Sequence, residues 1–250
     1  MHIIISPAKK INSEFYGKVK NSSIPIFIER SKDLIKILKN LNITEIKRLM
    51  KVSDDIAKLN SIRFKNWKLP FNNENAKPAI FAFEGDVYRS LNIHTFNLDE
   101  IHLMQSKLSI ISGLYGILRP LDLIQPYRLE MGTKLKNMFG NNLYSFWNSD
   151  ITNELNKKET NYIVNLASNE YFKSIDKNKL KAKIITPIFK NISNGKLKVI
   201  GIFAKKARGQ MTKFILQNKI NEVEDIKKFN IDHYTFDKEL SNSTDYIFTR

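Results

Sequence analysis

One stretch of this lysine-rich chain is almost free of lysine. The sequence has 33 lysines in 250 residues, yet Lys107 is the only one between residues 79 and 133, where an even spread would place about seven. The same stretch holds three of the eight arginines, four of the nine glycines and two of the seven prolines. It is interpreted either as a buried core alone, or as a core that also presents Arg89, Arg119 and Arg128 to a site, because arginine offers a rigid fork of donors that lysine lacks.

Length and composition predict one folded domain, residues 1–250. Hydrophobic residues make up 42% of the chain, which suffices for a core, and no linker or repeat divides it. No run of 18 apolar residues appears, and the apolar stretch at the start is too short for a secretory signal, so we expect a cytoplasmic protein with no membrane partner. The chain has no cysteine and its four histidines show no ligand spacing. We therefore predict no metal and no cofactor.

Positive charge is concentrated in one part of the chain. The formal net charge is +16, and residues 173–213 hold twelve cations against a single acid, Asp176. Such a concentration attracts polyanions through counterion release, and nucleic acid is the commonest polyanion in the cytoplasm. A drift towards lysine in the overall composition is the alternative explanation.

Strand and helix patterns alternate along the whole chain. This predicts an α/β fold in the mixed α+β sense, a single domain with a mixed sheet and surrounding helices. The predicted strands are 2–5, 79–83, 162–166, 184–192, 196–203 and 246–248, with a hairpin turn at 193–195. The predicted helices are 31–41, 44–58, 99–111, 143–155, a short one capped by Ser168, and 204–220.

Segment 203–209, with the sequence FAKKARG, is a candidate phosphate-binding corner. Lys205 and Lys206 fall in the predicted first turn of a helix, where free backbone N–H groups favour anions and where cations oppose the helix dipole. Gly209 would permit a close backbone approach. Segments 5–10 and 165–173 are similar strand ends, and all three are predicted to converge on one cleft that binds nucleic acid. A solvated lysine face is the alternative.

Gly113 and Gly116 lie three residues apart between aliphatic residues. This spacing resembles the hairpin of a helix-hairpin-helix element, whose backbone amides contact DNA phosphates. Two glycines also suit an ordinary tight connection.

Five segments together resemble one protein family. They are 5–9 (ISPAK), 83–88 (FEGDVY), 108–132, 165–173 and 203–209, and they occur in the family's order over nearly the whole chain. The family is YaaA, also called DUF328 or UPF0246, the peroxide stress proteins of bacteria. The resemblance implies a cytoplasmic DNA-binding protein that limits peroxide damage to DNA and proteins and lowers reactive intracellular iron. It also implies an unusual α/β fold with a positively charged cleft and a helix-hairpin-helix element.

The resemblance and the charge pattern together predict the site residues. Cleft candidates by family position are Lys9, Asp86, Tyr88, Arg119, Arg128, Lys205, Lys206 and Arg208, and Lys10, Lys173 and Lys213 join them as nucleic-acid contacts. The hairpin is assigned to Gly113 and Gly116, with segment 44–58 as a rival.

Two functional classes remain open. In the first, the protein is not an enzyme and binds double-stranded or distorted DNA, mainly through phosphates, with no obligate protein partner. In the second, it is an enzyme of lyase or glycosylase type that acts on damaged nucleic acid. Lys9 or Lys206 would then form a Schiff base, and Asp86 or Glu130 would transfer protons. An iron-binding role is a third possibility, without visible ligands.

Overall fold

A sheet with five parallel strands at its centre organises the chain. The structure, a computed structural model, describes residues 1–12 and 21–250. The parallel strands are β1 (His2–Ile5), β5 (Leu108–Ser112), β8 (Tyr162–Leu166), β9 (Lys183–Ser193) and β12 (Asp245–Thr249), in the spatial order β12-β9-β8-β1-β5. Three strands pair antiparallel to them, namely β6 (Gly116–Leu118) on β5, β10 (Lys196–Lys198) on β9 and β11 (Thr235–Phe236) on β12.

Two small sheets, ten α-helices and three 3-10 helices (Ile93–Thr95, Val223–Lys228 and Ile231–His233) complete the described part of the fold. The small sheets pair β2 (Lys10–Ile11) with β4 (Phe83–Glu84) and β3 (Lys77–Pro78) with β7 (Leu123–Ile124). The helices are α1 (Ile28–Lys39), α2 (Ile43–Met50), α3 (Asp54–Asn66), α4 (Ala79–Ala82), α5 (Asp86–Leu91), α6 (Leu98–Lys107), α7 (Leu143–Trp147), α8 (Asp150–Asn156), α9 (Asn169–Phe172) and α10 (Gly201–Gln217). None of the helices in the described ranges is both long and apolar enough to cross a membrane.

The parallel strands define one edge of the sheet. Their carboxyl ends point the same way, so Ser6 after β1, Gly113 after β5 and Ser168 after β8 all lie at what we call the carboxyl edge. The chain leaves β1 towards β5 on one side and later returns as β8 on its other side. In open α/β sheets, ligands bind outside the carboxyl ends of the strands at such a reversal of strand order.

The lysine-poor stretch forms much of the core, as predicted. Its residues Ile110, Ile111, Leu114 and Tyr115 are fully buried. Inside the core the Tyr115 hydroxyl accepts hydrogen bonds from Trp67 and from the Gln125 N–H and donates to the Gln125 carbonyl oxygen. Strand β1 is buried along its whole length because the sheet is covered on both faces, which is typical of parallel strands. The mixed α/β architecture is therefore confirmed.

Several predicted elements are confirmed with shifted ends. Strands 2–5 and 162–166 are present, and β9 and β10 form the predicted hairpin through Asn194 and Gly195, both at positive φ. Helix 31–41 is observed as α1, and the chain ends in strand β12. The last helix begins at Gly201 rather than at residue 204, and β10 ends at Lys198, so the second hairpin strand is shorter than predicted.

Two predicted helices are each divided. The prediction 44–58 is wrong because Lys51 adopts a left-handed conformation (φ 53°) that ends α2, and Ser53 then caps α3. The result is a helical hairpin in which α2 and α3 are joined by residues 51–53. The prediction 143–155 is wrong for the same kind of reason, since Asn148 at φ 41° separates α7 from α8.

Two segments that contain short apolar runs form another type of element than the sequence predicts. Residues 79–83 were predicted as a strand, but Ala79–Ala82 form a helical turn, and only Phe83 belongs to a strand. Residues 99–111 were predicted as one helix, but the helix ends at Lys107 and β5 follows directly. A short apolar run that is buried on all sides has no polar face, so its periodicity does not distinguish helix from strand.

The assignment of Gly113 and Gly116 to a helix-hairpin-helix element is wrong. They lie in the turn between strands β5 and β6, where Ser112 pairs with Gly116. A Cβ atom on Gly113 would stand 2.2 Å from the Leu129 carbonyl oxygen, and Gly116 has φ 69° and packs against Trp147. Both glycines thus serve a tight, buried β-hairpin, whose backbone amides face protein rather than a ligand.

Candidate nucleic-acid interface

Ser6 and Ser168 join two neighbouring strand ends at the carboxyl edge. The Ser168 backbone N–H donates to the Ser6 hydroxyl oxygen at 2.8 Å, and the Ser6 hydroxyl lies 3.3 Å from that of Ser168. The Ser168 side chain accepts no backbone N–H from the first turn of α9, so the expected cap is not formed. Tyr88 of α5 donates its hydroxyl to the Ser6 carbonyl oxygen at 2.9 Å. These bonds hold β1, α5 and α9 in one fixed arrangement.

Lys9 and Arg128 meet on a single carboxylate. Lys9 Nζ lies 2.8 Å from Glu130 Oε2, and Arg128 Nη2 lies 3.1 Å from Glu130 Oε1. The Arg128 side chain is only 19% exposed, whereas that of Lys9 is 63% exposed. Two cations on one carboxylate leave a net positive charge at the end of β1. Next to this group, Lys10 pairs with Glu84 across the β2–β4 ladder at 2.9 Å.

Buried tyrosines lie beneath this charged group. Tyr88 packs against Phe83 with ring centroids 5.3 Å apart, and the Tyr127 hydroxyl shares a 2.6 Å hydrogen bond with Ser112. Burial raises the pKa of Tyr88, Tyr127 and Tyr171, and the proximity of Tyr127 raises the pKa of the other two further. These phenols stay neutral at physiological pH, and their rings form a rigid, buried apolar layer.

A cavity of about 770 Å³ opens beside Glu130. One wall comes from α2 and the residue after it, with Arg48 and Lys51, and the other from segment 133–136, with Lys134 and Lys136. Glu170 fixes the position of this segment, because its Oε1 accepts the Gly132 backbone N–H at 2.8 Å. The lining contains four cations and three carboxylates, so a strongly basic cleft stays a prediction.

The sequence interpretation named none of these four cations as a contact, although Arg48 and Lys51 lie within the rival hairpin segment 44–58. The only available signal was alternation: buried Thr133 and Leu135 alternate with exposed Lys134 and Lys136, the period of an extended segment. Arg48 and Lys51 flank the end of α2 and give no sign of a site in a chain with 33 lysines.

Helix α10 packs against α5. Lys205 and Lys206 are exposed, and because the helix begins at Gly201 they belong to its second turn, not to the predicted first turn. Gly209 does permit a close approach, but the approaching group is α5: a Cβ atom there would stand 2.1 Å from the Val87 carbonyl oxygen. Arg208 is half-buried, and burial lowers its pKa. The contact with α5 brings the start of α10 towards the carboxyl edge.

Arg119 occupies the opposite edge of the sheet. Leu118 pairs with Ile110, which places Arg119 beside the start of β5. There it binds Asp122, with Nη2 2.9 Å from Oδ1, and donates to the Ile24 carbonyl oxygen. Burial raises the pKa of Asp122, opposed by hydrogen bonds from Ser23 and Arg119. Arg119 thus stabilises the β6–β7 connection and does not belong to the group formed by Lys9, Arg128 and Glu130.

The remaining candidates are dispersed. Asp86 forms an ion pair with Arg89 at 2.6 Å within α5. Lys173 is exposed at the end of α9, and Lys213 is half-buried on α10. Within residues 1–12 and 21–250, no group of three or more histidine or acidic side chains is arranged to hold a metal ion.

Seven cations near the carboxyl edge have no ion-pair partner among the described residues. They are Arg48, Lys51, Lys134, Lys136, Lys173, Lys205 and Lys206. Uncompensated cations on several separate segments around one edge form a surface that favours an extended anion.

Comparison with known proteins identifies the family. The sequence profile described as "Peroxide stress protein YaaA" matches residues 1–240. A UPF0246 protein of Aliivibrio fischeri strain MJ11 is 51% identical over 254 residues, covering 100% of this chain and 98% of that protein. A UPF0246 protein of Hahella chejuensis is 46% identical over 254 residues, covering 100% of this chain and 99% of that protein. The general role of the protein lies in the response to oxidative stress, and the chain belongs to the YaaA family of peroxide stress proteins.

Proposed function

We propose that this protein binds double-stranded or distorted DNA in the cytoplasm, mainly through phosphates, as its part in the oxidative stress response. The observation that carries the proposal is the set of seven cations around the carboxyl edge that have no ion-pair partner in residues 1–12 and 21–250, next to the group in which Lys9 and Arg128 share Glu130. Lysine and arginine contacts to phosphates supply most of the affinity of non-specific DNA binding.

The Glu130 group supports the recognition of a phosphate. The carboxylate accepts from a planar guanidinium and from an ammonium at the same time, an arrangement that also suits the oxygens of a phosphate. A DNA phosphate beside Glu130 would share these donors. Arg128 is only 19% exposed and already paired with Glu130, so little ordering of its side chain is needed on binding.

The cavity would receive the neighbouring length of the DNA backbone. Arg48 in the last turn of α2 and Lys51 at the turn of the α2–α3 helical hairpin line one wall, and Lys134 and Lys136 line the other. This hairpin is the rival segment that the sequence offered for a helix-hairpin-helix element, and we propose it for that role. Lys10, Lys173, Lys205, Lys206 and Lys213 would extend the positive field along the edge. Arg208 would contribute less because it is largely buried, and Arg119 lies at the opposite edge, paired with Asp122.

We propose that the effect on reactive iron follows from DNA binding. Ferrous ions are held near DNA as condensed counterions, and a protein that neutralises phosphates releases such ions. Bound protein would therefore lower the amount of iron that reacts with peroxide at the DNA surface. Nicking of plasmid DNA by ferrous ion and peroxide should fall with the wild-type protein and persist with a variant that does not bind.

The enzyme hypothesis has less support. A lysine that forms a Schiff base needs a lowered pKa, which desolvation provides. Lys9 is 63% exposed and paired with Glu130, and Lys206 is exposed. Borohydride trapping on DNA with abasic sites tests this hypothesis, because a covalent adduct that disappears in Lys9→Ala would establish it.

The test of DNA binding is the affinity for a duplex as a function of salt concentration, with gels inspected for cleavage. Lys134→Glu with Lys136→Glu should weaken binding and reduce the salt slope by about 1.8, since each lost phosphate contact contributes about 0.9. The control is Lys228→Glu with Lys238→Glu, an equal change in net charge outside the proposed interface. Equal losses of affinity in both variants would show that binding depends only on net charge. Failure of the wild type to bind DNA at low salt would refute the proposal.

A further inference from the structure

The β9–β10 hairpin extends beyond the carboxyl edge. Strand β8 pairs with β9 only as far as Ile185, and β12 pairs with it as far as Lys190. The last residues of β9 pair with β10 in the register Asn191–Lys198, Ile192–Leu197 and Ser193–Lys196, and the Ile192 N–H also donates to the carbonyl oxygen of Arg250, the residue after β12, at 3.0 Å. The tip of this hairpin therefore projects from the edge that carries the proposed DNA site.

The two faces of the hairpin differ in chemistry. Directly paired residues lie on the same face of an antiparallel ladder, so Ile192 and Leu197 share one face, and Lys196 and Lys198 lie on the other. Ile192 is 68% exposed, and Val199, two residues after Leu197, is 54% exposed. One face of the hairpin is thus aliphatic and exposed, and the opposite face carries cations.

The charge around the hairpin selects an anionic partner. Residues 177–221 contain twelve cations and no aspartate or glutamate. Lys190, Lys196 and Lys198 have no ion-pair partner within the part of the chain that the structure describes. A second copy of this face would be repelled by like charge. The partner must therefore combine a dense negative charge with an apolar interior that the aliphatic side chains can enter.

Duplex DNA and an anionic bilayer both combine these properties, and the observations favour DNA. Segment 191–202 has no tryptophan, tyrosine or phenylalanine, the residues enriched at membrane interfaces. The hairpin also stands at the same edge as the seven unpaired cations. Proteins that bend DNA insert leucine or isoleucine between base pairs from the minor groove and bind the flanking phosphates with cations.

We propose that the β9–β10 hairpin is a DNA wedge: Ile192 and Leu197 insert at a base step while Lys196 and Lys198 bind flanking phosphates, so that bound DNA is kinked. This inference rests on the proposed DNA binding and adds to it a preference for DNA that is already distorted. Insertion separates stacked bases, and this separation is least costly at a mismatched or damaged pair.

Two measurements on the full chain test the wedge. Bending is followed by energy transfer between dyes at the ends of a short duplex, and unstacking by the fluorescence of 2-aminopurine beside a mismatch. The wild type should bend the duplex by about 20–90° and raise the 2-aminopurine signal. Ile192→Ser with Leu197→Ser should keep the salt slope but lose the bend, the signal and the preference for the mismatch.

Two control variants separate the wedge from the cations and from a general loss of apolar surface. Lys196→Gln with Lys198→Gln should lower the salt slope by about 1.8 and leave the bend at saturation unchanged. Leu240→Ser removes an aliphatic side chain that is 45% exposed in the loop before β12, and it should behave like the wild type.

Each result decides between the two proposals. DNA binding without a bend, or a bend that survives Ile192→Ser with Leu197→Ser, would overturn the wedge and leave the proposed function intact. Failure of the wild type to bind any duplex would overturn both. Binding to phosphatidylglycerol vesicles that depends on Ile192 and Leu197, without such dependence for DNA, would assign the hairpin to a bilayer and also overturn the wedge.

Discussion

The Ser6 hydroxyl oxygen accepts the Ser168 backbone N–H at 2.8 Å, so that a side chain at the end of β1 fixes the start of α9. Ser6→Ala should leave this partly buried N–H without its partner and lower the free energy of unfolding by about 1–2 kcal/mol. Urea denaturation measures the change. Ser22→Ala, which removes an exposed 3.4 Å hydrogen bond, is the control and should change stability by less than about 0.5 kcal/mol. Equal effects would contradict the assigned role of Ser6.

Neutralising Glu130 should strengthen DNA binding. Glu130→Gln removes the charge shared by Lys9 and Arg128 and frees both cations for phosphate, so we expect higher affinity and a salt slope steeper by up to about 0.9. The cost in stability should stay within about 1 kcal/mol because the ion pairs are partly exposed. Fluorescence anisotropy with labelled duplex measures the affinity. Asp225→Asn removes an equal charge beside exposed Lys228 and should leave DNA binding unchanged; if both variants bind alike, the Glu130 group is outside the interface.

Two glycines on α10 should respond to alanine in opposite directions. At Gly209 the added Cβ would stand 2.1 Å from the Val87 carbonyl oxygen, so Gly209→Ala should force α10 and α5 apart and destabilise the fold by about 1–3 kcal/mol or more. At Gly201 the added atom has no neighbour within 4 Å, and Gly201→Ala should stabilise the helix by up to about 1 kcal/mol. Thermal unfolding distinguishes the two, and a tolerated Gly209→Ala would contradict the packing of α10 on α5.

His2 should make stability depend on pH. Burial lowers the pKa of His2 in the folded protein to about 3 from the ordinary 6.5. Between these pH values the unfolded chain binds a proton at His2 that the folded protein does not bind. The free energy of unfolding therefore rises with pH in this range, and the contribution of His2 to stability is progressively lost as the pH falls below about 6.5. Over the fall from about pH 7 to pH 5 this amounts to about 2 kcal/mol.

His2→Gln provides the comparison for that pH dependence. Glutamine does not titrate and keeps a polar group for the Ser109 hydroxyl, which lies 2.9 Å from His2 Nε2. The variant should lose less stability than the wild type between pH 7 and pH 5, whatever its stability at pH 7. Parallel pH profiles of the two proteins in chemical denaturation would show that His2 is not the group responsible.

Burial of the lysine-poor stretch and the position of several strands followed from local patterns. Residues 2–5 and 162–166 are short apolar runs with clear ends, and Asn194-Gly195 suits the positive φ values of a hairpin turn. Element type was wrong where burial removed the pattern, as at Ala79–Ala82 and β5, and two helices were predicted too long because a single left-handed residue, Lys51 or Asn148, ended each of them. A lysine in a left-handed conformation has no sequence signature.

The sequence by itself determined the class of fold, the excess of cations and the family, because these depend on composition, on local periodicity and on motifs that are continuous in the chain. Only the tertiary structure decided which cations share a surface. Lys9, Arg128 and Glu130 meet because β1 ends beside the segment after β7, whereas Arg119, nine residues before Arg128, is carried by the β5–β6 hairpin to the opposite edge. Such contacts form between residues far apart in sequence, so their geometry follows from strand order and register and not from any local pattern.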